Sequence, residues 1–548
     1  MRTEKLIAIC MAVLALFCSC TQDIVTEQYS ISESGISEIH DTENAETSIT
    51  EPESAIEEST AQQTTITTIE KIPVSVPQIE KNEFSKILEA ETASLAGNLK
   101  VDNKRQGYSG SGYLTGFDRT PENLLTLSAD IPYSQHYDIT VCSAAENDVS
   151  NTLVVNGKEV GVFKNYVSEN GKFSRTTFYG VYIEKGNATV SVKEINGAIN
   201  LDYVQITNNK TVYDTDYSIS ESPCNPEATE ETKALYHYLK NNYGKRIITG
   251  QYSASSKNLE IQAIQTVTGR SPAIRFGDLT GYSLKSEQAT DEINSSIKWA
   301  EQGGIVGLIW HWVAPYGKSG IYAEETDFDL KKAVTGEDIS MKTLAELEEM
   351  KNNKQISEEC YAIVRDIDNI SEKLKELQDK KIPVIWRPLN EAGGKWFWWG
   401  SDKDSYIWLW NLLYKRQTNF HKLNNLIWVW NGQSKNYCVD ENTFDIASID
   451  IYLDEDTVTE ESYVEQFQWL NKLTGNRKLI ALSECQTPPD PSIALRDSSM
   501  WIFEGMWYGD YLVDKDGNFV DSYITKQQLS DFYNSTAVIT LDDYKAGE

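Results

Sequence analysis

Apolar and polar positions alternate in two different ways along the chain. Between residues 83 and 208, apolar residues recur at every second position in short runs, turn residues separate the runs, and no long helical period is present. A period of two is the pattern of a half-buried β-strand. The runs that show it are YDITVCSA (137–144), NTLVVNG (151–157), NATVSVKEING (187–197) and INLDYVQIT (199–207). Residues 83–208 are therefore predicted to form an all-β sandwich module.

From residue 225 onward, strand-like apolar runs alternate with helix-like segments. Asn225 and Pro226 suit the start of a helix, and ISEKLKELQDK (370–380) has the clearest helical period. The strand-like runs are RIITGQY (246–252), SPAIRFGD (271–278), GGIVGLIWHW (303–312), IPVIWRPLNE (382–391), NLIWVWN (425–431), DIASIDIY (445–452), RKLIALSE (477–484) and MWIFEGMWY (500–508). Eight strands alternating with helices predict an α/β fold, a (β/α)8 TIM barrel over residues 225–548.

The first 20 residues read as an export signal. Arg2 and Lys5 are basic, residues 6–17 form an apolar core that is too short to span a bilayer, and Ser19 precedes Cys20. The end of this segment resembles a bacterial lipobox, which implies that Cys20 is lipidated and holds the protein at the cell surface. Phe17 stands where a lipobox usually has Leu, so plain secretion is the alternative.

Two polar stretches separate the predicted modules. Residues 21–80 are rich in Ser, Thr and Glu, with 12 acids and one base between Thr21 and Lys71. Such a stretch cannot bury enough apolar surface to offset its ordering entropy, so a disordered linker is predicted. Residues 209–224 are predicted to be a second, shorter linker.

Composition limits the partners. A net charge of −32 argues against nucleic acid or an anionic lipid surface as the main ligand and is compatible with a neutral polymer. The eight Cys and five His show no metal-ligand spacing, and the five Cys beyond the leader are expected to be mostly free, buried thiols. No cofactor is expected for catalysis, and a monomer is expected.

Polar or aromatic side chains stand at the predicted carboxyl-terminal ends of the barrel strands, where barrel enzymes keep their active sites. They are Gln251, Asp278, His311, Glu391, Asn431, Tyr452, Glu484 and Trp507. Glu391 and Glu484 end the fourth and seventh strands. Retaining glycosidases use two carboxyl groups about 5–5.5 Å apart, and a barrel mouth can hold a pair at that distance. Each glutamate alone would suit an ordinary ion pair.

In the stretch PVIWRPLNEAGGKWFWWG (383–400), a strand runs into a loop that combines a carboxylate with four large aromatic side chains, at positions 396–399. Aromatic faces stack on the apolar faces of pyranose rings, so this composition favours a sugar site. A buried strand whose aromatics pack in a core is the alternative. That alternative explains Val384 and Ile385, but it would require Arg387, Asn390 and Glu391 to be buried and satisfied together.

WRPLNEAGGKWFWWG, with GGIVGLIWHW before it and NLIWVWN, SIDIY and LIALSE after it, resembles glycoside hydrolase family 26 over residues 225–545. The resemblance implies a retaining endo-β-1,4-mannanase acting by double displacement on β-mannan, with Glu391 as the general acid/base and Glu484 as the nucleophile. Tyr452 would orient the nucleophile, and Asp450 would face the site. The other implied substrate-binding residues are His311, Trp312, Asn390, Trp396, Trp399 and Trp507.

One position departs from the family pattern. Family 26 usually has His immediately before the acid/base, and this chain has Asn390. The wider clan commonly uses Asn there to contact the sugar 2-hydroxyl, which is axial in mannosides. Mixed-linkage β-glucan and β-1,3-xylan are therefore alternative substrates. A carbohydrate-binding surface protein without catalysis is a further alternative, against which the presence of both glutamates argues.

The β-rich region resembles carbohydrate-binding modules of family 35. The resemblance rests on ILEAETA, GYSGSGYLTGF and INLDYVQI, and it implies a structural calcium ion held by Glu89, Glu91 and Asp202. The Glu-x-Glu spacing places Glu89 and Glu91 on one face of a strand, and carboxylate oxygens suit calcium. A solvated strand face is the alternative. The module has no Trp, so Tyr108 and Tyr113 are its candidate sugar contacts.

Overall fold

The protein folds into a β-sandwich followed by a closed barrel, as seen in a computed structural model. The structure describes residues 70–76, 79–117, 125–166, 172–194, 197–210, 215–452 and 461–547. The predicted signal segment with Cys20, and linker residues 21–69, lie outside the described residues. In the described ranges, every helix is too short or too polar to cross a membrane.

The amino-terminal module is an antiparallel sandwich. Its strands are β1 (Ser85–Glu89), β2 (Ser94–Leu95), β3 (Lys100–Asp102), β4 (Tyr113–Thr115), β5 (Leu125–Ile131), β6 (Gln135–Ala144), β7 (Val149–Val155), β8 (Lys158–Asn165), β9 (Ser174–Ile183), β10 (Gly186–Glu194) and β11 (Asn200–Asn208). One sheet has the order β3-β4-β11-β6-β9 with β1 also paired to β11, and the other has the order β2-β5-β10-β7-β8. In β5, buried and exposed residues alternate strictly, which is the period-two pattern that predicted the module.

The carboxyl-terminal module is a closed barrel of eight parallel strands, β13 to β20, which confirms the predicted fold class. The strands of this region are β12 (Ile247–Ile248), β13 (Gly250–Tyr252), β14 (Ile274–Asp278), β15 (Ile305–Trp310), β16 (Val384–Pro388), β17 (Leu426–Trp430), β18 (Ile446–Ile451), β19 (Leu479–Cys485), β20 (Glu504–Met506) and β21 (Val538–Ile539). Every residue of β15, β16 and β17 is buried, because helices cover the outside of the barrel and side chains fill its inside. Strands β12 and β21 pair in parallel at the amino-terminal end of β13.

Helices connect the barrel strands. They are α1 (Glu230–Asn242), α2 (Leu259–Thr268), α3 (Glu292–Glu301), α4 (Leu330–Ala333), α5 (Leu344–Asn352), α6 (Glu358–Asp379), α7 (Lys403–Lys415), α8 (Val464–Leu473), α9 (Pro491–Arg496), α10 (Lys526–Tyr533) and α11 (Leu541–Ala546). The longest, α6, begins where the Ser357 hydroxyl accepts a hydrogen bond from the Cys360 amide at 3.0 Å. It buries one face and leads the chain into β16, which carries the central motif.

The two modules contact each other through a buried hydrogen bond between a histidine and an aspartate. His136 of β6 and Asp497 at the end of α9 are both buried, with His136 Nε2 2.6 Å from Asp497 Oδ1. Arg496 lies over the Tyr182 ring of β9 at 3.9 Å and donates to Asp497 at 2.7 Å. These contacts fix the sandwich on the flank of the barrel.

Part of the predicted disordered linker is ordered. Ile72 pairs with Ser535 as an isolated parallel bridge, and the Ile72 amide donates to the Asn534 carbonyl at 2.6 Å. Lys71 Nζ reaches the carboxylate of Asp543 at 2.5 Å. The expectation of disorder is therefore wrong for residues 70–76, because backbone pairing and one ion pair supply the stabilisation that composition alone does not reveal.

Five cysteines of the described residues are free, as predicted. Cys142, Cys360 and Cys485 are buried, and Cys224 and Cys438 are half-buried.

Candidate active site

Three carboxylates meet at the carboxyl-terminal end of the barrel strands. Glu391 follows β16, Asp450 lies on β18 and Glu484 lies on β19, and all three are buried. One oxygen from each lies within 4.8 Å of one from each of the others. Retaining glycosidases hold their two carboxyl groups about 5–5.5 Å apart, and carboxyl oxygens this close to one another suit such a pair.

The backbone at Glu391 is held in an unusual conformation. Leu389 and Glu391 both have a φ of 53°, in the left-handed region that non-glycine residues seldom adopt. The Glu391 amide donates to the backbone carbonyl of Asn431 at 2.7 Å and to the Asn431 side chain at 2.8 Å. These bonds stabilise the turn that aims the Glu391 carboxylate into the barrel mouth.

Arg387 of β16 supplies a positive charge between two of the acids. Its Nη1 donates to Asp450 Oδ2 at 2.9 Å, and its Nη2 donates to Glu484 Oε1 and, at 3.1 Å, to the Tyr252 hydroxyl. The guanidinium is almost fully buried, at 2% exposure, so its charge is not screened by water. Arg387 contacts Asp450 and Glu484 and so favours their ionised forms, whereas Glu391, which receives no hydrogen bond from this cation, is the acid best placed to carry a proton.

Glu484 has the surroundings of a carboxylate that stays ionised. Besides Arg387, the Tyr452 hydroxyl donates to Glu484 Oε2 at 2.6 Å, so both oxygens receive a donor. Burial, and next the charge of Asp450, raise the pKa of Glu484, while Arg387 and Tyr452 oppose that rise. Charged and hydroxyl donors together favour the anionic, nucleophilic form.

Glu391 has the surroundings of an acid. Its oxygens accept hydrogen bonds from two uncharged N–H groups, Trp396 Nε1 at 3.1 Å and Gln433 Nε2 at 2.9 Å. Burial, followed by the charges of Asp450 and Glu484, raises the pKa of Glu391 well above that of an ordinary glutamate. The site therefore separates the two glutamates into a proton donor and an anion.

His311 and Asn390 lie side by side next to Glu391. His311 Nδ1 is 2.8 Å from Asp278 Oδ2, and His311 Nε2 is 3.3 Å from Asn390 Nδ2. Burial lowers the pKa of His311, whereas the charge of Asp278 and its hydrogen bond raise that pKa. The effect of Asp278 is the larger, so the net shift is upward. The Oδ1 of Asn390 is buried without a hydrogen-bond partner among the described residues. This amide oxygen is available to a ligand hydroxyl.

Aromatic rings surround the acids. The Trp507 ring packs against Tyr252 at 4.7 Å between centroids and against Tyr508 at 4.7 Å. The Trp396 ring folds over Gly394 so closely that a Cβ there would lie 1.9 Å from the ring. A glycine at 394 is thus required for the Trp396 indole to reach Glu391.

Two aromatic predictions need correction. Trp312 is fully buried, stacks on Trp310 at 4.1 Å and donates its indole N–H to Asp366 at 3.1 Å. Trp399 is also fully buried, and its indole N–H donates to the Asn390 carbonyl at 2.8 Å. Both rings therefore support the site from behind and do not line the cleft, because core packing takes up their faces.

Sequence reasoning did not assign three site residues. Arg387 lies inside the quoted motif, Tyr252 ends β13 one residue beyond the predicted tip Gln251, and Gln433 lies in the loop after β17. A basic residue within an apolar strand was the signal for Arg387, since an unpaired buried charge is costly. No comparable signal marks Gln433.

Comparison with known proteins agrees with this geometry. Residues 224–543 match the model of Glycosyl hydrolase family 26, which is more than half of the chain. The chain belongs to glycosyl hydrolase family 26. This glycoside hydrolase also carries a match to Carbohydrate binding module (family 35) over residues 86–209.

Relatives of the family 26 hydrolase share most of its length. A mannan endo-1,4-β-mannosidase of Thermothelomyces thermophilus is 32% identical over 484 residues, which cover 86% of this chain and 92% of the relative. Mannan endo-1,4-β-mannosidase A of a Piromyces species is 32% identical, covering 83% and 72%. The crystal structure of the GH26-CBM35 β-(1,4)-mannanase of Podospora anserina matches with a TM-score of 0.57 at 30% identity, covering 84% of this chain and 98% of that one.

The predicted calcium ligands of the sandwich surround one loop. Ser109 Oγ donates to Glu89 Oε2 at 2.7 Å, the Ser109 amide donates to Asp202 at 2.8 Å, and the Ser111 amide donates to Glu91 Oε1 at 2.6 Å. The other oxygen of Glu91 is buried without a partner among the described residues. These carboxylates are hard oxygen donors of the kind that calcium prefers, but, among the described residues, only the oxygens of Glu391, Asp450 and Glu484 lie within 4.8 Å of one another as a group of three.

Proposed function

We propose that this family 26 hydrolase is a retaining endo-β-1,4-mannanase. The observation that carries the proposal is the pair Glu391 and Glu484, whose carboxylate oxygens lie within 4.8 Å at the barrel mouth. The printed activity of the relatives, which extend over both modules, supports mannan as the substrate. The acidic chain suits an uncharged polysaccharide.

In the first step, Glu484 attacks the anomeric carbon and the glycosidic bond breaks. Glu391 gives its proton to the departing sugar oxygen, and a covalent glycosyl–Glu484 ester remains. Tyr452 and Arg387 hold Glu484 in place before the attack. As the ester forms, Glu484 loses its negative charge, so the Arg387 guanidinium is left to balance Asp450.

In the second step, Glu391 acts as a base. It takes a proton from a water molecule, whose oxygen attacks the anomeric carbon and releases Glu484. The product keeps the β configuration because inversion has occurred twice. The N–H groups of Trp396 and Gln433 stabilise the Glu391 carboxylate that this step needs.

Substrate choice centres on Asn390. Its free amide oxygen adjoins His311, in position to bond a hydroxyl of the sugar held between Glu391 and Glu484. Mixed-linkage β-glucan and β-1,3-xylan are the competing substrates, since the 2-hydroxyl is equatorial in both.

The test compares sugar release from β-1,4-mannan, glucomannan, mixed-linkage β-glucan and β-1,3-xylan. Wild type is expected to favour the mannans, and Glu391→Ala and Glu484→Ala are expected to lose activity by roughly 100-fold or more. Glu346→Ala, at an exposed position on α5, is the matched control. Proton NMR of the first product should show the β-anomer; an α-anomer, or full activity in both site variants, would contradict the proposal.

The sandwich is proposed to bind the same class of polysaccharide and to hold a structural calcium ion through Glu89, Glu91 and Asp202. A pocket of about 370 Å³ beside this loop is lined by Tyr108, Phe173 and Arg175, among others, which offers rings and a hydrogen-bond donor to a sugar. Binding of the isolated polysaccharides to an inactive Glu484→Ala enzyme tests this assignment, with Tyr108→Ala as the pocket variant. If the Glu484→Ala enzyme binds the polysaccharides equally well with and without Tyr108→Ala, the assignment of this pocket is contradicted.

Export with a lipid anchor at Cys20 is proposed from the leader. The Cys20→Ala variant should move from the membrane fraction to the soluble fraction. Unchanged membrane association would contradict the lipid anchor, and release of wild type into the medium would favour plain secretion.

A further inference from the structure

Gln433 is a buried amide placed between two of the site carboxylates. It follows β17 by three residues, has 3% exposure and adopts a left-handed φ of 50°. Its Nε2 donates to Glu391 Oε1 at 2.9 Å and to Asp450 Oδ2 at 3.0 Å. The two hydrogens of one amide group thus serve two acids from different strands.

The orientation of this amide is set by its neighbours. Turning it over would place the amide oxygen against both carboxylates, which would repel it. As it stands, the Oε1 of Gln433 is buried without a hydrogen-bond partner among the described residues. A buried amide oxygen left unpaired costs free energy, and so does a left-handed glutamine, so the two donated bonds must compensate for both.

Every group that faces Glu391 from the surrounding strands can be named. Asp450 comes from β18, Glu484 from β19 and the cationic Arg387 from β16, while Trp396 and Gln433 contribute neutral N–H groups. Arg387 makes no hydrogen bond with Glu391; its donors go to Asp450, Glu484 and Tyr252. The N–H donors that reach the Glu391 carboxylate are therefore uncharged, and its other hydrogen-bond contact is the Asp450 carboxyl group.

This distinction matters because Glu391 has two tasks. It must hold a proton in the first step and be an anion in the second. A cationic donor would hold Glu391 as the anion and suppress its acid role, whereas the absence of donors would suppress its role as a base. Two neutral donors lie between these extremes.

We propose that Gln433 is a positioning residue for the acid/base: it fixes the Glu391 carboxylate beside Asp450 and stabilises the anion that activates water in the second step. The inference rests on the proposed retaining mechanism. It assigns Gln433 mainly to hydrolysis of the glycosyl–enzyme and much less to its formation.

The test uses Gln433→Met, which keeps the length of the side chain and removes the donor. With an aryl β-mannobioside whose leaving group needs no protonation, formation of the glycosyl–enzyme should proceed at a rate near that of wild type. Its hydrolysis should slow roughly 10- to 100-fold, so kcat and KM should fall together after a burst of aryl alcohol. On mannan, the alkaline limb of kcat/KM should move to higher pH, because Glu391 keeps its proton longer without the Gln433 bond.

Azide gives a readout that a structural defect would not produce. As an anion it attacks the glycosyl–enzyme without a base, so it should restore turnover of the aryl substrate by Gln433→Met and form a β-glycosyl azide. Gln417→Met is the matched control: Gln417 is equally buried but accepts a hydrogen bond from Trp386 Nε1 at 3.0 Å away from the acids. That control should lose stability without an azide response or a shift in the pH profile.

A second variant covers the case in which Gln433→Met does not fold. Asn tolerates the left-handed backbone of position 433 better than Gln, but it is one methylene too short to reach both carboxylates. Gln433→Asn should show the same burst and the same azide response.

Two results together would overturn the inference, even if Glu391→Ala is inactive: a wild-type pH profile and the absence of an azide response in the variants that fold. If Glu391→Ala itself keeps full activity, the proposed function fails instead.

Discussion

The Tyr452 hydroxyl donates to Glu484 Oε2 at 2.6 Å, while Arg387 occupies the other oxygen of the same carboxylate. Tyr452 follows the end of β18, and Glu484 lies in β19, so the bond joins neighbouring strands at the barrel mouth. With Arg387 on the other oxygen, it holds the Glu484 carboxylate in one orientation. It also favours the anion, in opposition to the burial that raises the pKa of Glu484.

Replacing Tyr452 by Phe should therefore slow the first chemical step. We expect a roughly 10- to 100-fold loss of kcat/KM, because a hydrogen bond to a charged group contributes about 1.5–3 kcal/mol. The pKa of Glu484 should rise, and because the nucleophile must be ionised, the acidic limb of the pH profile should move to higher pH. Tyr236→Phe, which removes a hydroxyl bonded to the Ser220 carbonyl outside the site, is the control. An unmoved acidic limb would contradict the role given to Tyr452.

Glu504 should make the enzyme less stable as pH rises. This fully buried carboxyl accepts from the Gly250 amide at 3.0 Å, and burial raises its pKa to about 8. The folded state then binds the proton more tightly than the unfolded state does. Stability from this group is present below the ordinary glutamate pKa and is lost between that value and about pH 8, with a slope of roughly 1.4 kcal/mol per pH unit.

Glu504→Gln resembles the protonated acid and should remove most of this slope. Urea unfolding between pH 5 and 8 measures it. The control is Glu346→Gln, because the Thr343 amide lowers the pKa of the exposed Glu346 and keeps it ionised throughout the range. Parallel pH curves for wild type and Glu504→Gln would contradict the prediction.

The barrel and its two glutamates could be predicted from sequence because strand period and strand ends are local properties. The packing around them is not local. Trp396 and Trp399 look alike in the motif, but one reaches Glu391 and the other is buried behind Asn390. Gln433 was missed for the same reason, since its two partners lie 42 and 17 residues away in sequence.

The segment of residues 70–76 shows a second limit of sequence reasoning. A stretch rich in Glu and Thr has too little apolar surface to fold alone, and the prediction of disorder follows from that. It becomes ordered where the barrel provides unpaired backbone groups near Ser535 and the carboxylate of Asp543. Composition describes what a segment can do alone, whereas these contacts depend on a surface formed elsewhere in the chain.

Calcium should stabilise the sandwich and leave the barrel unaffected. Without the ion, Glu89, Glu91 and Asp202 bring three acidic groups around one loop, where they accept hydrogen bonds from Ser109 and Ser111. Chelation should therefore lower the melting temperature of the sandwich alone, and calcium should restore it, as calorimetry can measure. Glu91→Gln should abolish the response, while Glu159→Gln, at an exposed position on β8, should keep it. A calcium response of equal size in Glu91→Gln would contradict the site.

The contact of His136 with Asp497 should couple the two modules. Both side chains are buried, and Asp497 also accepts from Arg496 at 2.7 Å and from Ser462 at 2.5 Å. Burial raises the pKa of Asp497, whereas the hydrogen bonds from His136 and Arg496 lower it. Their combined effect is the larger, so the net shift is downward and the carboxylate stays ionised in the interface. Removing one donor from a buried anion costs roughly 1–3 kcal/mol.

In His136→Ala we therefore expect the sandwich to detach more readily from the barrel. Small-angle X-ray scattering should report a larger radius of gyration, and calorimetry should resolve two melting transitions that are closer together in wild type. His237→Ala, at an exposed position on α1, provides the control for loss of an imidazole.

Activity on short oligosaccharides should be unchanged, since His136 is remote from the acids, whereas activity on insoluble mannan should fall because the sandwich no longer holds the polymer near the barrel mouth. An unchanged radius of gyration together with unchanged melting would show that the modules are held by other contacts.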